Sequence, residues 1–273
     1  EHQPIALYPD ELGFIFSGSA VYDTQNSSEY GTNENPPIIA IYTSHHKDGL
    51  EQQSIAYSND KGRHFEKSYL NPVIKNPGIS DFRDPKAFWN PVRRCWSLVL
   101  AAQDRVFFYA SQDMKNWEKT GEFGPEGNHV KGVWECPDLF EIDGQQIMTC
   151  CPQGVDQKGY DYQNVYQCGY FPVEFDLKNK SYSFGKFQEF DKGFDIYATQ
   201  TFADEAGRRI LIGWMGIPDA DYDNDATVAY DWIHALTMPR ELEWKDGKIL
   251  QHPLKEMKDL RKNAFTCELE AFT

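Results

Sequence analysis

The chain has 273 residues, of which 40% are hydrophobic and 15% aromatic, and a formal net charge of −15. That charge opposes nucleic-acid backbones and anionic membrane surfaces, so neither is an expected partner. The length suffices for a substantial core, and no stretch is apolar enough to span a bilayer. In chain order, the opening residues EHQPIALYPDELG carry neither an initiating Met nor a signal-like run, so we expect further chain upstream. Short runs rich in aromatic and β-branched residues follow: FIFSGSAVY, PPIIAIYTS, QQSIAYS, CWSLVLAA, RVFFYAS, DLFEI, QIMTCC, YSFGKFQEF and RRILIGWMGI. Each is bounded by Gly, Pro, Asn or Asp, the pattern of strands punctuated by turns. Helical periodicity is confined to PLKEMKDLRKN, a short turn or connector. The pattern predicts an all-β fold.

Six cysteines (Cys95, Cys136, Cys150, Cys151, Cys168, Cys267) form no disulfide-scaffold pattern and no C-x-x-C pair. They read as small buried reduced thiols, hence a cytoplasmic protein. No metal or cofactor motif occurs: H-E-x-x-H and glycine-rich phosphate loops are missing. The N-x-S/T matches at Asn26 and Asn179 are of a kind that arises by chance.

An internal repeat is visible. AYSNDKGRHFEK (56–67) matches YASQDMKNWEK (109–119), with Ser58 to Ser111 and Asp60 to Asp113 each 53 residues apart. These four residues read as turn formers. RDPKAFW (83–89) echoes ECPDLFEI (135–142), with Asp84 and Glu135 spaced by 51, and a further echo falls near FDIYATQTF (194–202). A period near 50 in an all-strand chain predicts a β-propeller of four-stranded blades. Taken alone, Glu135 would be a turn carboxylate beside Pro137. In a propeller, Asp84 and Glu135 instead converge on one axial pocket.

Two converging carboxylates with aromatic walls and no metal motif point to glycoside chemistry. Trp134 and the apolar strand would shield Glu135 from water, a condition that suits a proton donor. Trp214 is either a stacking wall for a sugar ring or a core residue. Arg83, beside Asp84, orients a carboxylate, binds a substrate hydroxyl or forms a structural ion pair. His129 and His234 read as loop histidines. Ser17 and Ser19 lack the spacing of a nucleophile elbow.

FSGSAV, SDFRDPK, VWECPDLFE, FYASQDMKNWEKTGEFG, ILIGWMG and ALTMPREL together closely resemble family 32 of the glycoside hydrolases, from about residue 3 to residue 260. This family holds invertases, sucrose-6-phosphate hydrolases, levanases and inulinases. WMGIPDADYDNDATVAYDWIHALTMPREL most resembles the bacterial sucrose and sucrose-6-phosphate hydrolases. The resemblance implies a five-bladed propeller with a C-terminal β-sandwich, and hydrolysis of terminal β-D-fructofuranosides with retention. It implies Glu135 as general acid/base and Asp84, with Arg83 beside it, as transition-state stabiliser. It implies Phe16, Ser17 and Trp214 as lining of the fructose site, a small sugar as partner, and no cofactor or metal. The family's nucleophile is an Asp in a Trp-Met-Asn-Asp-Pro-Asn-Gly-like motif, and no such motif is present here; NENPP (33–37) is no substitute. We therefore expect about four of five blades over residues 1–260, a linker start over 261–273, and a chain inactive by itself. Blade faces left without neighbours would favour self-association. A non-catalytic fructoside-binding or assembly module is the alternative, and an arabinoside-acting propeller glycosidase a third.

Overall fold

The computed structural model describes residues 4–124, 130–176, 181–220 and 225–265, so His129, Asn179 and Cys267 lie outside the described residues. Four antiparallel sheets follow one another along the chain. The first contains β1 (Phe14–Tyr22), β2 (Ile38–His45), β3 (Glu51–Ser58) and β4 (Glu66–Lys67). The second contains β5 (Phe82–Asn90), β6 (Cys95–Ala102), β7 (Val106–Ser111) and β8 (Glu118–Phe123). The third contains β9 (Val130–Ile142), β10 (Gln145–Val155), β11 (Gly169–Asp176), β12 (Ser181–Phe184) and β13 (Gln188–Glu189). The fourth contains β14 (Tyr197–Ala203), β15 (Arg209–Met215), β16 (Ala235–Leu236), β17 (Arg240–Lys245) and β18 (Lys248–Pro253). Each sheet opens with its inner strand, and β1, β5, β9 and β14 succeed one another in contact about a common axis. This is the predicted propeller, with four blades.

The core lies between blades. Ile39, Ile41 and Ile55 meet Phe82, Leu98 and Leu100 at the first junction. Val99, Val106 and Phe123 meet Trp134, Met148 and Phe171 at the second. Phe140 and Tyr170 meet Leu211 and Leu242 at the third. Leu98 and Val99 fall in different clusters because successive side chains leave a strand on opposite faces. β6 is therefore buried on both sides, which is why CWSLVLAA reads as one apolar run. Burying a side chain of this size contributes roughly 1.5–3 kcal/mol.

The predicted turn formers fold as expected. Ser58 Oγ donates to Asp60 at 2.8 Å and Ser111 Oγ to Asp113 at 3.0 Å, and each carboxylate caps backbone N–H groups of its own turn. PLKEMKDLRKN supplies a 3-10 turn at Lys255–Leu260. YSFGKFQEF is not one strand: it splits into β12 and β13 on either side of Gly185. GYFPVEFD forms β11 around Pro172, and the charged RELEWK forms β17; neither was among the strands read from the sequence. β1 is unusual for an inner strand, with Phe14 57% and Tyr22 56% exposed, and on the fourth blade Phe202 and Met215 are exposed as well.

One feature recurs in all four inner strands: a β-bulge. The register shifts between Ile15 and Gly18, Arg83 and Lys86, Glu135 and Asp138, and Tyr197 and Gln200. The bulged residues Asp84, Cys136 and Ala198 adopt positive φ (64°, 50° and 49°), a costly conformation for residues with a Cβ. In the first blade the bulge ends at Gly18, where a Cβ would lie 2.0 Å from the Ile41 carbonyl oxygen, so only glycine fits the FSGSA motif there. Just past the bulges, three inner strands are tied across the axis. Lys86 Nζ donates to Gln200 Oε1 (3.0 Å) and the Thr201 carbonyl (2.6 Å) and lies 3.6 Å from Asp138. Asp138, 1% exposed, accepts the Thr201 hydroxyl at 2.6 Å. Removing one partner of a buried ion pair typically costs about 3–5 kcal/mol. Asp138→Ala should therefore lower unfolding free energy by about that amount in urea titrations; a loss below ~1 kcal/mol would show that this tie is not structural.

Candidate active site

The bulges decide which side chains reach the axis. Arg83, Glu135 and Tyr197 each occupy the last paired position before the bulge in their strand. They are thus structural equivalents, and they meet. Glu135 Oε1 accepts Arg83 Nε (3.0 Å) and Nη2 (2.9 Å), while Oε2 accepts Tyr197 OH (2.7 Å) and Gln153 Nε2 (2.9 Å). The repeat is therefore offset by one residue from the spacing of the two acids: Asp84 is the equivalent of Cys136, and Glu135 that of Arg83. Nor does Glu135 start its strand. It is the sixth residue of the 13-residue β9.

Asp84 turns inward from its bulge. It is 6% exposed, its N–H donates to Thr43 Oγ1 (3.1 Å), and its Oδ2 accepts the Cys136 N–H at 2.9 Å. Its carboxylate is thus fastened to the residue next to Glu135. Burial pushes the Asp84 carboxyl up to about 6; the Cys136 N–H pulls it down, the Glu135 charge pushes it up, and the Arg83 charge pulls it down.

Arg83 serves as the shared cation. Its Nη1 donates to Asp81 at 2.7 Å and to Glu51 at 3.2 Å, so one guanidinium bridges Asp81, Glu51 and Glu135. Burial works against the Arg83 charge, but these three carboxylates outweigh it and hold the group above its ordinary value. Arg83 thus forms a structural ion-pair network that also orients Glu135. Burial, with the Glu135 charge adding to it, pushes the Tyr197 phenol well above its usual range, so Tyr197 remains a donor.

The flanking residues fall into place with one correction. Trp134 does not shield Glu135. Strand alternation sends its ring to the opposite face, 1% exposed, stacked on Phe171 with centroids 5.4 Å apart. Phe16 and Ser17 occupy the first blade's bulge, both exposed, with Phe16 stacked on His45 at 4.2 Å. His45 Nδ1 lies 3.2 Å from Glu51, so Phe16 joins the Arg83 network through two contacts. Trp214 is half-buried, paired across the ladder with Tyr197, and edge-on to His234 at 5.0 Å. Its indole passes so close to Gly216 that a Cβ there would lie 2.4 Å from the ring. Glu51, Asp81, Gln153, His45 and Tyr197 were not singled out from the sequence; of these, only Tyr197 falls in a segment, FDIYATQTF, that the repeat had marked.

Five cysteines, Cys95, Cys136, Cys150, Cys151 and Cys168, are free and buried. Among the described residues no cluster of His, Cys, Asp and Glu has metal-binding geometry, and no helix is long and apolar enough to cross a membrane.

Residues 1–253 match the profile of the glycosyl hydrolases family 32 N-terminal domain. The chain belongs to glycoside hydrolase family 32. It is 42% identical to a levanase of Bacillus subtilis (strain 168), over 96% of this chain and 40% of that protein. It is 38% identical to a sucrose-6-phosphate hydrolase of Staphylococcus xylosus, over 94% of this chain and 51% of that one. The chain thus spans about half the length of the curated family members it matches. Among solved family structures, the Bombyx mori GH32 beta-fructofuranosidase BmSUC1 superposes with a TM-score of 0.83 at 35% identity, covering 96% of this chain and 55% of that one. The sucrose-6-phosphate hydrolase from Lactobacillus gasseri gives a TM-score of 0.80 at 29% identity, covering 94% and 53%.

The raised Asp84 carboxyl gives a signed expectation. A carboxyl raised in the folded chain contributes stability that is full below its unfolded value of about 3.9 and is lost as pH rises through about 6. Denaturant titrations should show wild type losing up to roughly 3 kcal/mol relative to Asp84→Asn between about pH 4 and pH 7. A pH-independent difference would count against the burial of this carboxyl.

Proposed function

We propose that the chain carries most of the fructoside site of a retaining β-fructofuranosidase, hydrolysing terminal β-D-fructofuranosides. The observation that supports this best is the fixing of Glu135 by Arg83, Gln153 and Tyr197, beside a buried Asp84. Family membership and the names of the relatives, among them sucrose-6-phosphate hydrolases, support sucrose or sucrose 6-phosphate as substrate. The five free buried thiols fit a reducing, cytoplasmic setting.

In this reading the fructosyl ring rests between Asp84 and the wall formed by Phe16, Ser17 and Trp214. Glu135 gives its proton to the glycosidic oxygen as the bond breaks, while Arg83, Gln153 and Tyr197 keep its carboxyl oriented. Asp84 accepts hydrogen bonds from fructosyl hydroxyls and stabilises the positive charge that develops on the ring. In the second half-reaction Glu135 takes a proton from the attacking water. The covalent step needs a further carboxylate, roughly 5–5.5 Å from the acid in retaining enzymes. The resemblance locates it in a motif that this sequence does not contain. The 273-residue chain should therefore show no sucrose turnover in a glucose-release assay, and robust turnover would refute this part of the reading. In a form extended by a segment bearing the Asn-Asp-Pro motif, activity should appear, and Glu135→Gln should then reduce kcat by about 10²–10⁴-fold.

The exposed apolar side chains of β1 and the fourth blade support a propeller domain over residues 1–260 that packs against further chain. They equally favour the second reading, a fructoside-binding or assembly module. Calorimetric titration separates the two: tight sucrose binding that persists without turnover in the extended form favours the module. Sedimentation of the 273-residue chain should show self-association through these faces, and a strictly monomeric species would count against it.

A further inference from the structure

Strand β2 contributes none of the site residues predicted from the sequence, yet it fastens the site twice. Side chains two apart leave a strand on one face, and the pairing of β2 with β3 runs unbroken from Thr43–Gln53 to His45–Glu51. Thr43 accepts the Asp84 N–H at 3.1 Å. His45, two residues on, is the last residue of β2. Its backbone is closely hemmed in: Gly13 has a φ of 118°, and a Cβ there would lie 2.1 Å from the His45 carbonyl oxygen.

The imidazole makes two contacts. Its ring lies flat on Phe16, with centroids 4.2 Å apart and planes 5° from parallel. Phe16 is 41% exposed, so the stack backs one face of that ring and leaves surface open to a ligand. The His45 Nδ1 lies 3.2 Å from Glu51 Oε1. Glu51 is buried, accepts the Phe82 N–H at 2.7 Å and takes Arg83 Nη1 at 3.2 Å, and Arg83 in turn holds Glu135. A carboxylate can only accept, so the proton of the neutral ring sits on Nδ1. Histidine suits the position because it joins a flat face to an in-plane N–H donor. Phenylalanine has only the face, and asparagine only the donor.

We propose that His45 is a positioning residue of the fructoside site, backing the Phe16 wall with its ring and steadying the Glu51–Arg83–Glu135 clamp through Nδ1. This rests on the fructoside reading above and adds a residue that acts through others. The two duties separate kinetically. A wall contacts the sugar equally before and in the transition state, so its loss raises KM and spares kcat. A clamp on the general acid matters only as the glycosidic bond breaks, so its loss lowers kcat and spares KM.

The kinetics would use the form extended by the Asn-Asp-Pro segment, with sucrose as substrate. His45→Asn keeps a donor toward Glu51 and loses the ring; it should raise KM roughly 3–10-fold and hold kcat within about twofold. His45→Phe keeps the ring and loses the donor; it should lower kcat about tenfold and hold KM within about twofold. Opposite patterns from two variants at one position cannot come from a shared loss of folding. In the 273-residue chain, nitrogen-15 NMR at a pH where the ring is neutral should place the His45 proton on Nδ1. A proton on Nε2 overturns the link to Glu51 whether or not the chain is part of a hydrolase. A variant that lacks its own change, or two variants that alter KM and kcat alike, overturns the positioning role and leaves the fructoside reading intact. Absence of sucrose turnover in the extended wild type rejects the fructoside reading, and this role of His45 with it.

Discussion

The site depends on a backbone irregularity repeated once per blade. A regular inner strand would send alternate side chains to opposite faces, and adjacent residues could not both serve the axis. The bulge breaks that rule at Asp84, Cys136 and Ala198, each held at positive φ. Asp84 can then turn inward although Arg83, its neighbour, already points toward Glu135. A strained φ costs on the order of 1–3 kcal/mol at each residue, and such strain persists only where the surroundings enforce it. Here the enforcement is visible: the Thr43 hydroxyl accepts the Asp84 N–H, and the Asp84 carboxylate accepts the Cys136 N–H.

On this frame the electrostatics are economical. A single guanidinium, Arg83, faces Asp81, Glu51 and Glu135 from a half-buried position. Burying this much charge is a weak route to stability, because desolvation offsets most of the attraction. It does give orientation: Glu135 is gripped through both oxygens by donors on β5, β10 and β14, from three successive blades. The stabilising burial lies elsewhere, in the apolar clusters between blades.

The sequence was legible where chemistry is local. Strand runs, Ser-x-Asp turns and the period near 50 follow from side-chain alternation and short-range hydrogen bonds, and they led to the propeller and to Asp84 and Glu135 as axial acids. It was less legible where partners are remote. Trp134 looked like the shield of Glu135 because it is adjacent in the chain, yet a strand places neighbours on opposite faces, and the ring is in the inter-blade core. Tyr197, 62 residues from Glu135, and Glu51, 32 from Arg83, carry no motif of their own; their roles exist only once the blades close.

What the sequence by itself determined is the inventory: an all-β repeat, two acids spaced close to its period, and motifs that resemble one hydrolase family. What only the tertiary structure decided is register. The two acids are not equivalents: Glu135 matches Arg83, and Asp84 matches Cys136. The reason is physical. A bulge adds one unpaired residue to a strand, and a count along the chain cannot reveal on which side of that residue the ladder resumes.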